Sequence, residues 1–210
     1  MEYDAAKHHR RSIRLPGYDY RSPGAYFVTL CVQGGECLLG EVVDGEMRLS
    51  EWGEIAAEAW QWLDAQYPYV SLDTWVIMPN HTHGIIVVRD DDVGDSVDRD
   101  RASRAGSGRG GGGRGGSRTA PTDATPAKRK PLGQLVGAFK TVSTKRINEL
   151  RGTLGIRFWQ RNYWEHIIRD EQSLNRIRQY IQNNPARWAE DQLHLDAPSN
   201  AFNRWQPPES

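Results

Sequence analysis

Two pairs of residues in this chain have the types and the spacing to do chemistry together. The first is His81 and His83 in Trp75-Val76-Ile77-Met78-Pro79-Asn80-His81-Thr82-His83-Gly84-Ile85-Ile86-Val87-Val88. Side chains alternate across a β-strand, so both imidazoles point to one face and Thr82 to the other, which suits a metal ion. A bare His-x-His string is equally compatible with partly buried polar residues. Its position favours ligands, because neither the turn nor the strand start needs imidazoles for packing. The second pair is Tyr180 and Asn184. Four residues apart on a helix, they share one face, one turn from each other.

Two histidine nitrogens and an amide oxygen from Asn184 make a three-ligand divalent site with positions left for a phosphate oxygen. Tyr180, attacking phosphorus in line, would become covalently attached. A phenol with a pKa near 10 is a poor nucleophile at neutral pH, so a neighbouring cation should assist its ionisation. The alternative for Tyr180 is an ordinary tyrosine at the core edge. The expected chemistry is phosphodiester cleavage.

Such a site needs a strand and a helix held against each other. Ile85 to Val88 is apolar and β-branched, and Pro79-Asn80 reads as a turn closing a hairpin onto Val70 to Met78. Asp170 caps a helix whose buried stripe is Leu174, Ile177 and Ile181, and Pro185 ends it by steering Asn184 out of the helical region. Tyr26 to Val32 is near-continuously apolar and reads as a central strand. Gly34-Gly35 is expected to turn it back as a hairpin into Cys37 to Val43, which would put Cys31 and Cys37 on opposite faces, unable to bridge. Asp44-Gly45 is a second hairpin signal. Ser50 caps a helix with Trp52, Ile55, Ala56, Ala59 and Leu63 on its apolar stripe, and Pro131 opens another with Leu132, Leu135, Val136, Phe139 and Val142.

The 210 residues carry zero formal net charge, so global electrostatics argue for no nucleic-acid partner. Charge is nevertheless segregated. Residues 1 to 24 form a basic arm, either solvated or in contact with nucleic acid. At about 90 to 130 an Asp-rich and then Arg/Gly-rich insertion reads as disordered, because it cannot bury enough apolar surface to offset its ordering entropy. It interrupts a domain over 25 to 188, and 189 to 210 form a tail with Phe202 and Trp205 as anchors. No apolar run approaches the roughly 20 residues of a membrane span and no signal-peptide core is present, so a cytoplasmic protein without a membrane partner is expected.

Three strings also resemble a known family. W-V-I-M-P-N-H-T-H-G-I-I (from Trp75), F-W-Q-R-N-Y-W-E-H-I-I-R (from Phe158) and L-N-R-I-R-Q-Y-I-Q-N-N-P (from Leu174) are similar, in order, to the IS200-like transposases and most of all to their REP-associated tyrosine branch. R-L-P-G-Y-D-Y and G-A-Y-F-V-T-L-C add to the likeness. The resemblance implies an α+β fold, a ferredoxin-like antiparallel sheet with helices packed on it, and a His-hydrophobic-His, single-tyrosine endonuclease. His81 and His83 match the family's metal pair, Tyr180 its nucleophile, and Asn184 the polar residue that completes the metal site. Thr82 departs from the usual larger apolar residue, which implies a packing change.

The implied substrate is single-stranded DNA bearing a palindromic hairpin. Cleavage would leave a 5′-phosphotyrosine and a free 3′-OH able to be rejoined, with Mg²⁺ or Mn²⁺ as cofactor. Lys140, Arg161 and Arg169 are candidates for DNA phosphate contacts; His166 reads as structural. Either a monomer or a homodimer would serve, and the active site could be completed within one chain or between two. A second class of function stays open, a hairpin-binding regulator that has lost cleavage. A 2H phosphoesterase is excluded, since it needs two His-x-Thr/Ser strings and this chain has none.

Overall fold

The first long strand is buried along both of its faces. Tyr26, Val28 and Leu30 point one way and Phe27 and Thr29 the other, and all five are shielded from solvent. Such a strand needs neighbours on both edges and a layer above and below. In a computed structural model, which describes residues 14–90 and 129–197, it has all of these.

Strand β1 (Gly24–Cys31) is followed by the β2–β3 hairpin (Gly40–Val43, Glu46–Leu49), helix α1 (Glu51–Gln66), strands β4 (Val70–Ile77) and β5 (His81–Val88), helix α2 (Leu132–Arg151), strand β6 (Trp164–Ile168) and helix α3 (Glu171–Asn183). The main sheet has the order β4-β5-β1-β6 and every pair is antiparallel. Leaving the β2–β3 ribbon aside, the path β1-α1-β4-β5-α2-β6 is the ferredoxin-like arrangement.

The two faces of the sheet are covered differently. On one, Tyr26, Val28, Leu30, Ile86 and Val88 pack with Trp60 and Leu63 of α1 and Leu135 and Phe139 of α2. On the other, a smaller cluster joins Phe27, Ile85 and Ile168 to Ile181 of α3, flanked by Leu174 and Ile177. Full burial of Ile181 is worth about 2 kcal/mol. A further tie holds α3 to β4: Arg178 Nε and Nη2 donate to the two carboxylate oxygens of Asp73 at 2.9 and 2.7 Å.

Local signals explain the element starts. Ser50 Oγ accepts from Gly53 N–H (3.2 Å), and Asp170 Oδ1 from Ser173 N–H (2.7 Å), so both helices begin at side-chain caps. Asp44 and Gly45 have φ of +54° and +79°, the two left-handed residues that a type I′ hairpin turn requires.

Gly34-Gly35 does not close the expected hairpin. Residues Gln33–Gly35 form a short 3₁₀ turn, and β2 pairs only with β3. The ladder around the end of β1 is already occupied: Val32 N–H bonds to Asn80 O on one side, and Gln160 N–H bonds to Cys31 O on the other. A returning strand would find no free backbone groups. The cysteines are free thiols, with Cys37 exposed.

Pro185 also acts differently from expectation. Asn184 is helical (φ −60°, ψ −43°), and the chain continues into a 3₁₀ turn at Pro185–Glu190. Proline still ends the α-helical pattern, because it has no N–H to donate.

The sequence divisions at the ends and in the middle fall partly outside the described residues. Of the basic arm, residues 14–24 are described, and Tyr18 and Tyr20 pack on Tyr26. Residues 91–128, nearly all of the Asp- and Arg/Gly-rich insertion, and 198–210, with Phe202 and Trp205, lie outside them. Among the described residues no helix is long and apolar enough to cross a membrane.

Candidate active site

β5 begins at His81, beside the end of β1: His81 pairs with Cys31 and His83 with Thr29. Strand alternation puts both imidazoles on the α3 face, with ring centroids 4.4 Å apart. The intervening Thr82 points to the α1–α2 face and is fully buried there. Gly84 follows on that same face, where a Cβ would lie 2.3 Å from Cζ2 of Trp60. The indole of α1 thus needs a residue without a side chain at the position that ends the histidine pair.

Each imidazole is gripped by one nitrogen. His83 Nδ1 is 2.8 Å from Thr29 Oγ1, and His81 Nδ1 is 2.8 Å from Asn80 Oδ1. Their Nε2 atoms face the space under α3. Tyr180 Oη lies 3.1 Å from His83 Nε2, and its ring meets Phe27 edge-on. Tyr180 remains 47% exposed, whereas His81, His83 and Asn184 are buried, so the tyrosine is the accessible member of the group.

Asn184, one turn beyond Tyr180, donates from Nδ2 to Asp191 Oδ2 at 3.1 Å. That carboxylate oxygen is 4.0 Å from His81 Nε2. His81, His83 and Asp191 offer ligand atoms within 4.8 Å of one another. The 3₁₀ turn after α3 carries the chain back over the histidines, with Trp188 packed on His81 and Leu193 O accepting from Asn80 Nδ2.

Burial holds the His81 imidazolium form down to a pKa of about 3. The same cause, with neighbouring His81 second, keeps His83 well below its ordinary range. Both rings are therefore neutral at physiological pH, the state that binds metals. Burial pushes the Tyr180 phenol up to about 12, and the Asp191 charge adds to this, while a hydrogen bond with Asn184 opposes it.

Does this set fit a divalent cation? His81 Nε2 and Asn184 Oδ1 are buried and have no hydrogen-bond partner among the described residues. Leaving such atoms unsatisfied is costly. Imidazole nitrogen, amide oxygen and carboxylate together are a donor set for Mg²⁺ or Mn²⁺. The residues present fit the ion.

The structure thus gathers His81, His83, Tyr180 and Asn184, but places the basic candidates elsewhere. Lys140 Nζ is tied to the carbonyls of Gln160 and Asn162 at 2.7 and 2.9 Å, and burial pushes its pKa down to about 8. With exposed Arg161 and Arg157 it lines a groove of about 490 Å³ beside α2. Arg169 lies in a different hollow with Ser173 and exposed His166.

Sequence reading missed Asn80, Thr29 and Asp191. Asn80 carried a turn signal that masked its side chain. Asp191 lies beyond Pro185 in a segment without periodicity, so nothing local pointed to it.

No family model matches the chain. A Haemophilus influenzae protein described as uncharacterized is 39% identical over 195 residues, which cover 93% of this chain and 98% of that one. Among solved structures, a REP-associated tyrosine transposase bound to a REP hairpin is similar, with a TM-score of 0.51 at 15% identity, covering 85% of this chain and 76% of that chain. At that identity the likeness concerns the fold, the ferredoxin-like sheet with helices on both faces.

Proposed function

We propose that this chain, which belongs to one family with the Haemophilus influenzae protein, is a metal-dependent single-strand DNA endonuclease and strand transferase of the transposase kind. The observation that carries the reading is the Tyr180 hydroxyl 3.1 Å from His83 Nε2, beside buried His81 Nε2 and Asn184 Oδ1, which have no hydrogen-bond partner among the described residues. Its substrate is single-stranded DNA with a palindromic hairpin, the kind of ligand bound by the REP-associated tyrosine transposase of like fold.

In this reading Tyr180 is the nucleophile. Its oxygen bonds to phosphorus as the bond from phosphorus to the 3′-oxygen breaks, which leaves a 5′-phosphotyrosine and, after protonation, a 3′-OH. The phosphotyrosine bond keeps the free energy of the broken linkage, so a 3′-OH can attack it and rejoin strands without ATP. His81, His83 and Asn184 would hold the cation, and the carboxylate of Asp191 would add a fourth donor. Mg²⁺ or Mn²⁺ bound there supplies Lewis-acid neutralisation of charge on the phosphoryl group. Half exposure of Tyr180 leaves it open to a strand approaching from solvent, while the buried histidines stay shielded from it. Lys140, Arg161 and Arg169 are assigned to the DNA backbone beyond the scissile phosphate.

The test is a denaturing gel of the full chain with a labelled hairpin oligonucleotide and Mn²⁺. A covalent protein–DNA adduct is expected, and Tyr180→Phe should abolish it. An adduct that persists in Tyr180→Phe removes the nucleophile assignment. Hairpin binding with no adduct under any divalent ion favours a regulator without cleavage.

A further inference from the structure

Asn80 sits in the turn between β4 and β5, nearly fully buried, and its side-chain amide has every polar atom engaged. The Nδ2 end faces two carbonyl oxygens, Gly35 O at 3.1 Å and Leu193 O at 2.7 Å. Carbonyls only accept, so this end of the amide must be the nitrogen, and the orientation follows from the network. The other end is then the amide oxygen, 2.8 Å from His81 Nδ1.

An amide oxygen also only accepts. Nδ1 of His81 must therefore carry the hydrogen, which in a neutral imidazole leaves the lone pair on Nε2. That atom is buried and has no hydrogen-bond partner among the described residues, 4.0 Å from Asp191 Oδ2. We propose that Asn80 is the positioning residue of the metal site: it holds His81 as the Nδ1–H tautomer, with the Nε2 lone pair aimed at the cation.

The proposal rests on the reading of the histidines as metal ligands. Two distant segments, at Gly35 and Leu193, pin the amide against rotation, and the amide in turn pins the ring. A ligand held this way needs no rearrangement when it binds, and outer partners of this sort commonly change metal affinity by about 10- to 100-fold. Thr29 Oγ1 cannot perform the same selection at His83, because a hydroxyl can donate or accept.

The experiment has two readouts. Long-range ¹⁵N–¹H correlation spectra of the metal-free full chain, labelled at histidine, at about pH 7.5 should show His81 protonated at Nδ1 and bare at Nε2. Mn²⁺ titration followed by electron paramagnetic resonance should show affinity reduced by about 10- to 100-fold in Asn80→Ala. Asn80→Asp, which keeps an acceptor at that point, should retain the Nδ1–H tautomer. An Nε2–H tautomer in a wild-type protein that binds Mn²⁺ overturns the role of Asn80 alone. An Nδ1–H tautomer in a protein that binds no Mn²⁺ overturns the metal reading beneath it. Unchanged Mn²⁺ affinity in folded Asn80→Ala likewise overturns the proposal, and if that variant does not fold, the wild-type and Asn80→Asp spectra decide.

Discussion

Tyr180 and His83 meet within one chain, the phenolic oxygen 3.1 Å from Nε2, although 97 positions separate them. On the proposed reading, this contact predicts an active site completed in cis. Mixing His81→Ala with Tyr180→Phe protein should therefore give no more covalent adduct than either variant alone. Restored cleavage in the mixture would require a tyrosine supplied by a second chain.

On the proposed mechanism the pH dependence of cleavage has a definite sign. In the proposed reaction attack needs the phenolate, and in the metal-free chain burial raises the Tyr180 pKa to about 12. The single-turnover rate should climb as pH rises, by up to about tenfold per unit, below the effective pKa. Both histidines are held neutral well below 6.5, so no additional break from imidazole protonation is expected near that pH. A rate that fell with rising pH between about 6 and 9 would contradict the phenolate as attacking species.

The Arg178–Asp73 pair should control how firmly α3 sits. At 100° per residue, Arg178 and Tyr180 flank the Leu174-Ile177-Ile181 stripe on opposite sides, so the clamp opposes a roll of the helix that would lift Tyr180 from His83. Arg178→Ala should lower stability modestly, since the pair is partly solvent-screened, and should slow cleavage more than it weakens DNA binding. The hydrogen bonds from Arg178 lower the Asp73 pKa from 3.8 to about 2. A depressed carboxylate pKa contributes stability above the unfolded value, so this contribution is present above about pH 4 and lost as pH falls through about 2. Thermal melts of wild type and Arg178→Ala should converge across that window.

Gly84→Ala should disturb the site from the opposite face of the sheet. The new Cβ would sit 2.3 Å from Trp60 Cζ2, and overpacking of this kind costs about 1 to 3 kcal/mol. Circular dichroism melts should show the loss. Relief by Trp60→Leu in the same background would tie it to the indole.

In the proposed metal site, Asp191 and Asn184 should make coupled contributions to affinity. Asp191 brings negative charge within 4.0 Å of His81 Nε2, whereas Asn184 brings a neutral oxygen and also holds Asp191 by its amide. Mn²⁺ titration should find Asp191→Ala and Asn184→Ala both weakened, and the double variant less than additive, because the two side chains touch. Full additivity would place them in independent roles.

Local physics made much of this protein legible from residues alone. Period-two alternation puts His81 and His83 on one face wherever the strand lies, helical spacing keeps Tyr180 and Asn184 together, Ser50 and Asp170 mark helix starts, and Asp44-Gly45 marks a hairpin. Each of these depends on neighbours a few positions away. What pairs across the chain was not readable that way. Gly34-Gly35 carried the same local signal as a hairpin turn, but the backbone groups beyond β1 were already committed to Asn80 and the 158–160 segment. Lys140 was a candidate for phosphate contact by residue type, but that two carbonyls 20 and 22 positions away hold its ammonium was not readable. Above all, tertiary structure decided that α3 covers the histidine face rather than the other, and that Asp191 returns to His81 after the helix ends. Those outcomes come from competition among long-range contacts for buried surface and backbone partners, which no short stretch of sequence records.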